Sequence, residues 1–246
     1  MWIDRRKLPE ILLVLIAILF LGLNAAPGWS EAAGPGKEQR IAELERQELR
    51  LEDSHNWRSA IDVSMEIIKL DPRNTAAINT IAGLHGNLGE FQEEIDWARK
   101  ALDIDPQYGH AHINYGNGLA ALGRSQEAQA AFEKAAELAP KDPLPVYSLG
   151  VLAESQGKYE QALGFYQRSV ALDDRFENGY FNMAAMLANL KRFDEAAAAL
   201  KKLLQLKPDA QGAREMLKQI ENAAPPKPRG SAFRLPPGAT SPQPLS

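Results

Sequence analysis

The residues best able to do chemistry in this chain are its closest histidines and its adjacent acids. His110 and His112 stand two apart. Side chains two apart on a helix do not face the same side, so a shared ligand is the lesser reading of this pair. His112 also falls in step with Ile78, Val146 and Tyr180, positions read as core-facing, and is expected to be partly buried. Glu93 and Glu94 read as a solvated face or as capping groups. No phosphate-cradling glycine loop, no metal-spaced His/Glu cluster and no nucleophile motif is present. The chain has no cysteine, which excludes thiolate metal sites, cysteine nucleophiles and disulfides. The expectation is therefore a protein that is not an enzyme, with no catalytic residues, no metal and no cofactor.

What positions the residues that remain is a recurring punctuation. Leu70-Asp71-Pro72, Ile104-Asp105-Pro106, Leu138-Ala139-Pro140, Leu172-Asp173-Asp174 and Leu206-Lys207-Pro208 follow one another at a fixed step of about 34 residues. Asp174 stands where the others have proline. Each instance closes an apolar run of helical period, because proline lacks the next N–H donor and restricts the residue before it.

Columns appear when the chain is aligned at that step. Small residues fill three of them: Ala82, Gly116, Gly150, Ala184; then Ala60, Glu94, Ala128, Ala162, Ala196; then Ala101, Ala135, Ser169. Small side chains let two helix axes approach. Large residues fill others: Ile81, Tyr115, Leu149, Met183; Trp57, Phe91, Tyr159, Phe193; and Phe132, Tyr166, Leu200. Gly89, Gly123 and Gly157 fall between the two helices of a pair, where positive φ is wanted.

These columns closely resemble the tetratricopeptide repeat family over residues 41–210. The departures are Gln47 and Glu48 at the first pair's large-small site, Glu94 for alanine, Ser125 for an aromatic and Asp174 for proline. The degenerate first pair suits an end repeat, whose outer face meets water. The resemblance implies an all-α, right-handed α-solenoid of about five helix-turn-helix repeats, at 41–74, 75–108, 109–142, 143–176 and 177–210, with a capping helix at 211–222. Pro72, Pro106, Pro140 and Pro208 end the second helices. Gly116, Gly150, Ala128, Ala162 and Ala196 lie in the seams.

The resemblance also implies a concave groove lined by the first helix of each pair. Carried onto this chain, its candidate residues are Asn79, Ile113, Tyr147 and Phe181 in one column, and Asn114, Ser148 and Asn182 with Thr80 in the next. Asn117 and Val151 follow one turn on. Asparagines could pair with a peptide backbone, and Ile113, Tyr147 and Phe181 would add an apolar strip. These columns carry no lysine or arginine, so a neutral or apolar peptide, or a partner's helix, is expected rather than a C-terminal carboxylate.

The ends read differently from the repeats. Arg5, Arg6 and Lys7 precede an apolar run, Ile11–Leu23, and small residues up to Ser30 follow: the layout of an export signal. Thirteen residues rise only about 20 Å as a helix, against a hydrocarbon core of roughly 30 Å. Cleavage after Ser30 and retention as a membrane anchor both stay open, and both send the body across the inner membrane to a periplasm. Residues 31–40 read as linker. From Ala223 the chain is rich in proline and disorder is expected there, the alternative being a weakly basic docking arm with Phe233 and Leu235 as anchors. Residues 31–222 carry 30 acidic and 22 basic side chains, a poor surface for phosphate backbones, so no nucleic-acid partner is expected. A protein or peptide partner is expected on the extracytoplasmic side, for assembly of an envelope complex. A structural role, with self-association into a homo-oligomer through the convex face or ends, is the alternative.

Overall fold

The computed structural model describes residues 36–223, so the leader and the proline-rich tail lie outside the described residues. Among the described residues the chain is all helix. In order these are α1 (Lys37–Asp53), α2 (Trp57–Leu70), α3 (Thr75–Asn87), α4 (Phe91–Ile104), α5 (Gly109–Ala121), α6 (Ser125–Leu138), α7 (Pro143–Ser155), α8 (Tyr159–Leu172), α9 (Glu177–Asn189), α10 (Phe193–Leu206) and α11 (Gln211–Ala223). Two compact units divide at Pro72.

The first unit is the pair α1–α2. Its first helix begins at Lys37, inside the stretch 31–40. Ion pairs from Lys37 to Asp71 and from Arg40 to Glu66 join its first turn to the far end of α2. Leu44, Ala60, Val63 and Ile67 form the seam. The polar Glu48 is buried in it and accepts a hydrogen bond from the buried Ser64. Burial, partly offset by that bond, pushes the Glu48 carboxyl above the usual range.

The second unit stacks α3–α10 as four antiparallel pairs in a solenoid, closed by α11 against α10. Within each pair the turn is a helix C-terminus in which a left-handed residue is followed by a bond back to the fifth residue before. Glu90 N–H donates to His85 O, Arg124 N–H to Leu119 O, Lys158 N–H to Ala153 O and Arg192 N–H to Leu187 O. The left-handed residues are Gly89, Gly123 and Gly157, with φ of 74°, 76° and 71°. Lys191 takes the same conformation at φ 60°, and in the first unit's turn His55 does so at 58°. The geometry therefore belongs to every turn, and where glycine is missing an L residue carries the strain.

Between pairs the second helix ends in an extended residue. Asp105, Ala139 and Lys207 have φ between −128° and −135°, each before a proline. Asp173 does the same, at φ −140°, before Asp174. The bend is thus not made by proline alone. At the next helix start, Asn74 Oδ1 caps Ala77 N–H at 3.0 Å, and Asp142 Oδ1 caps Leu144 N–H at 2.9 Å with Pro143 in the first turn.

The seams show why the small columns exist. A Cβ at Gly116 would stand 2.5 Å from the Phe132 ring, and one at Gly150 would stand 2.6 Å from the Tyr166 ring. Each aromatic is sixteen residues beyond its glycine and lies in the space that the missing side chain leaves. Ala128, Ala162 and Ala196 are completely buried on the facing helices. Glu94 is a correction to its reading as a solvated acid, since it is only 4% exposed. Its carboxyl lies against Gly86 of α3 and Gly118 of α5, where a Cβ would come within 2.8 Å and 3.4 Å of it. Two glycines make the room that an alanine at position 94 would not need.

Candidate partner-binding groove

The first helices of the second unit, α3, α5, α7, α9 and α11, lie side by side. Their contacts are made at matching positions. Asn114 Nδ2 of α5 donates to Asn79 O and Oδ1 of α3, at 3.1 and 2.9 Å. Asn182 Nδ2 of α9 donates to the Tyr147 hydroxyl of α7 at 3.0 Å. Gly212 of α11 lies beside the Phe181 ring of α9.

These bonds involve residues expected to line a groove. Asn79, Asn114 and Asn182 spend side-chain hydrogen bonds on a rung between neighbouring helices, rather than leaving them all for a peptide. Phe181 packs half-buried in the C-terminal core. Tyr147 has a double role. Its ring meets Tyr166 and Phe176, with centroids 5.5 and 5.2 Å away, while it also lines an open cavity. Behind it the Tyr166 hydroxyl donates to Glu154 Oε2 at 2.5 Å. Burial first, and that bond second, hold the Tyr166 phenol protonated well above its ordinary range.

The cavity measures about 550 Å³ and lies between α5 and α7, over the Phe132 ring of α6. Of the expected residues, Ile113, Asn117, Tyr147 and Ser148 line it. Asn117 is exposed and Ser148 is buried. Leu144 and Val151, 37% and 42% exposed, form an apolar rim. Val151 was in a groove-facing column. Leu144 carries no signal in the sequence, because an exposed leucine reads like a buried one. Ala120, Ala121, Leu152 and Ser155 complete the wall, and no lining residue is charged. Such a surface can take an apolar side chain and offer a few hydrogen bonds beside it; it has no group placed to move a proton or hold a metal. His112, the histidine nearest to a functional reading, instead has Nε2 3.0 Å from the Pro106 carbonyl.

Family models described as tetratricopeptide repeats match residues 75–108, 116–175 and 177–210, together just over half of the chain. The chain belongs to the tetratricopeptide repeat family. Among solved structures, the repeat protein TTC0263 of Thermus thermophilus superposes with a TM-score of 0.67 at 17% identity, over 74% of this chain and 99% of that one. PilF of Pseudomonas aeruginosa gives 0.60 at 18%, over 75% and 90%. Likenesses at such identity speak for the shared repeat fold alone. Among curated proteins, anaphase-promoting complex subunit 3 of Schizosaccharomyces pombe is 28% identical over 153 residues, 62% of this chain and 23% of that protein. Protein O-mannosyl-transferase Tmtc1 of Drosophila melanogaster is 31% identical over 140 residues, 54% of this chain and 15% of that protein. This repeat protein thus spans less than a quarter of either curated relative.

Proposed function

We propose that this tetratricopeptide repeat protein is a protein–protein interaction adaptor, and that the groove on α5 and α7 holds an uncharged, apolar segment of its partner. The observation that carries this reading is the uncharged cavity of about 550 Å³ with Leu144 and Val151 exposed at its rim. An apolar patch that a repeat could have covered is left open to a visitor. One relative is named as a subunit of a multiprotein complex, in keeping with a binding role. The transferase named for another is the activity of a protein of which this chain spans 15%. The basic residues Arg5, Arg6 and Lys7 ahead of an apolar run support export, with the adaptor working on the extracytoplasmic side in assembly of an envelope complex.

The test is a photo-crosslinking residue at Ala121, which is exposed at the cavity wall, introduced in cells. A discrete adduct is expected, and Val151→Arg should diminish it about tenfold or more by placing a charge in the apolar rim. Val151 is exposed, so the melting curve should not move. Adducts indifferent to Val151→Arg, or arising equally from a position on the opposite face such as Lys100, would overturn the groove. Alkaline phosphatase fused after Lys37 and inactive in a bacterial host would overturn the export reading.

A further inference from the structure

The cavity has a candidate occupant within this chain. The rungs between α3 and α5, α7 and α9, and α9 and α11 align the first helices in one direction and nearly in register. α11 therefore ends, at Ala223, on the edge where α5 and α7 end. The cavity reaches that edge, since Ala121 and Ser155, the final residues of those two helices, are in its lining. Directly packed helices lie about 8–10 Å apart and the first helices no closer, so α7, two steps from α11, is about 20 Å away or somewhat more. The ten residues from Ala223 to Phe233 reach up to about 35 Å when extended. Two large apolar residues of the remaining chain arrive at that distance, as Phe233-Arg234-Leu235, with Pro236 and Pro237 directly after.

Charge favours the same match. Residues 223–246 carry Lys227, Arg229 and Arg234 and no acid, whereas residues 31–222 carry 30 acidic side chains against 22 basic. The cavity wall is uncharged, suited to Phe233 and Leu235, and the arginine between them can stay in water over an acidic body.

We propose that Phe233 and Leu235 dock in cis into the cavity between α5 and α7, so that a partner must displace this segment to bind. The proposal rests on the cavity being the binding site of the groove. Tethering by a linker of this length sets an effective concentration on the order of 1 mM, so even a weak site is substantially filled. The tail then sets a threshold, and only segments that bind more tightly than Phe233-Arg234-Leu235 gain the groove.

The experiment uses the purified full chain with a photo-crosslinking residue at Ala121, followed by digestion and mass spectrometry. Adducts to the peptide containing Phe233 are expected, at a yield that stays constant over about a hundredfold dilution, as a tethered contact must. The double variant Phe233→Ala, Leu235→Ala should lower that yield about tenfold or more, because it removes the apolar surface that the cavity would bury. Absent tail adducts, or a yield unchanged in the double variant, overturn the proposal. A yield that climbs with concentration into a covalent dimer overturns it in favour of a second copy. If tail adducts are absent while the cellular partner adduct from Ala121 persists, the groove reading stands and the cis occupant falls. If both are absent, both fall.

Discussion

Replacing Glu94 by glutamine should make the second unit more stable at neutral pH and leave it unchanged in mild acid. Glu94 lies between α3 and α5, 4% exposed, with its carboxyl against the bare backbones of Gly86 and Gly118. The nearby His85 of α3 is held by Glu90 at 2.7 Å. Burial raises the Glu94 carboxyl to about 7 from the 4.5 of an exposed glutamate. A raised acid means that the folded chain binds more protons than the unfolded chain between those two values. Stability is therefore fully present below about pH 4.5 and is lost as pH rises through 7. The complete loss is worth about 3 kcal/mol. Glutamine keeps the shape and removes the charge, so the difference between the two chains should be near zero at pH 4.5 and about 2–3 kcal/mol at pH 8. Urea unfolding followed by helical circular dichroism reads this directly. With a slope of roughly 2 kcal/mol/M, the variant's midpoint should lie about 1 M higher at pH 8. Glu48 and Glu52 are also raised by burial, but they are present in both chains and cancel in the difference. Midpoints of parent and variant that run parallel from pH 4.5 to 8 would refute the reasoning, because Glu94 would then not be the group that titrates.

Gly150→Ala should cost about 1–3 kcal/mol, since its methyl group would stand 2.6 Å from a Tyr166 ring fixed by Glu154 and Asn182. Adding Tyr166→Leu should recover much of that loss in a thermal melt, because Ala184 with Leu200 already is that combination one repeat later. Asp174→Pro should stabilise by about 0.4–1 kcal/mol, the preceding Asp173 being already extended at φ −140°, and a urea midpoint that falls would contradict it. Lys191→Gly should gain about 1 kcal/mol by relieving a left-handed lysine at φ 60°, where a loss would show that its side chain contributes more than the backbone strain costs.

The repeat was legible because it acts at single positions. A left-handed turn or a close seam selects for one residue type, and the choice recurs each time the chain returns to that place. Gly89, Gly123 and Gly157 announce their turns in this way. His55 and Lys191 do not, and only the period leads to them. For the residues expected to line a groove, the side-chain partners were not legible. Asn114, Asn117 and Asn182 share one residue type on one helical face, and the distance to the next helix decides which of them is taken. That distance puts Asn114 2.9 Å from Asn79 and Asn182 3.0 Å from Tyr147, and leaves Asn117 exposed at the cavity.

The buried acids were illegible for a related reason: their tolerance depends on pairs of positions. Where the seam has glycine at 116 and 150 it has Phe132 and Tyr166 sixteen residues on, and where it has Glu48 it has Ser64 at the same separation. Serine at that place is small enough to admit the carboxylate and carries the hydroxyl that bonds it. Glu94 is shifted by burial alone, and it is the absence of side chains at Gly86 and Gly118 that admits it. A departure from the repeat pattern is therefore read correctly only beside the residue that faces it. The two acids differ for that reason: Glu48 is bonded within the α1–α2 seam, whereas Glu94 is the carboxyl that burial leaves to titrate near neutral pH.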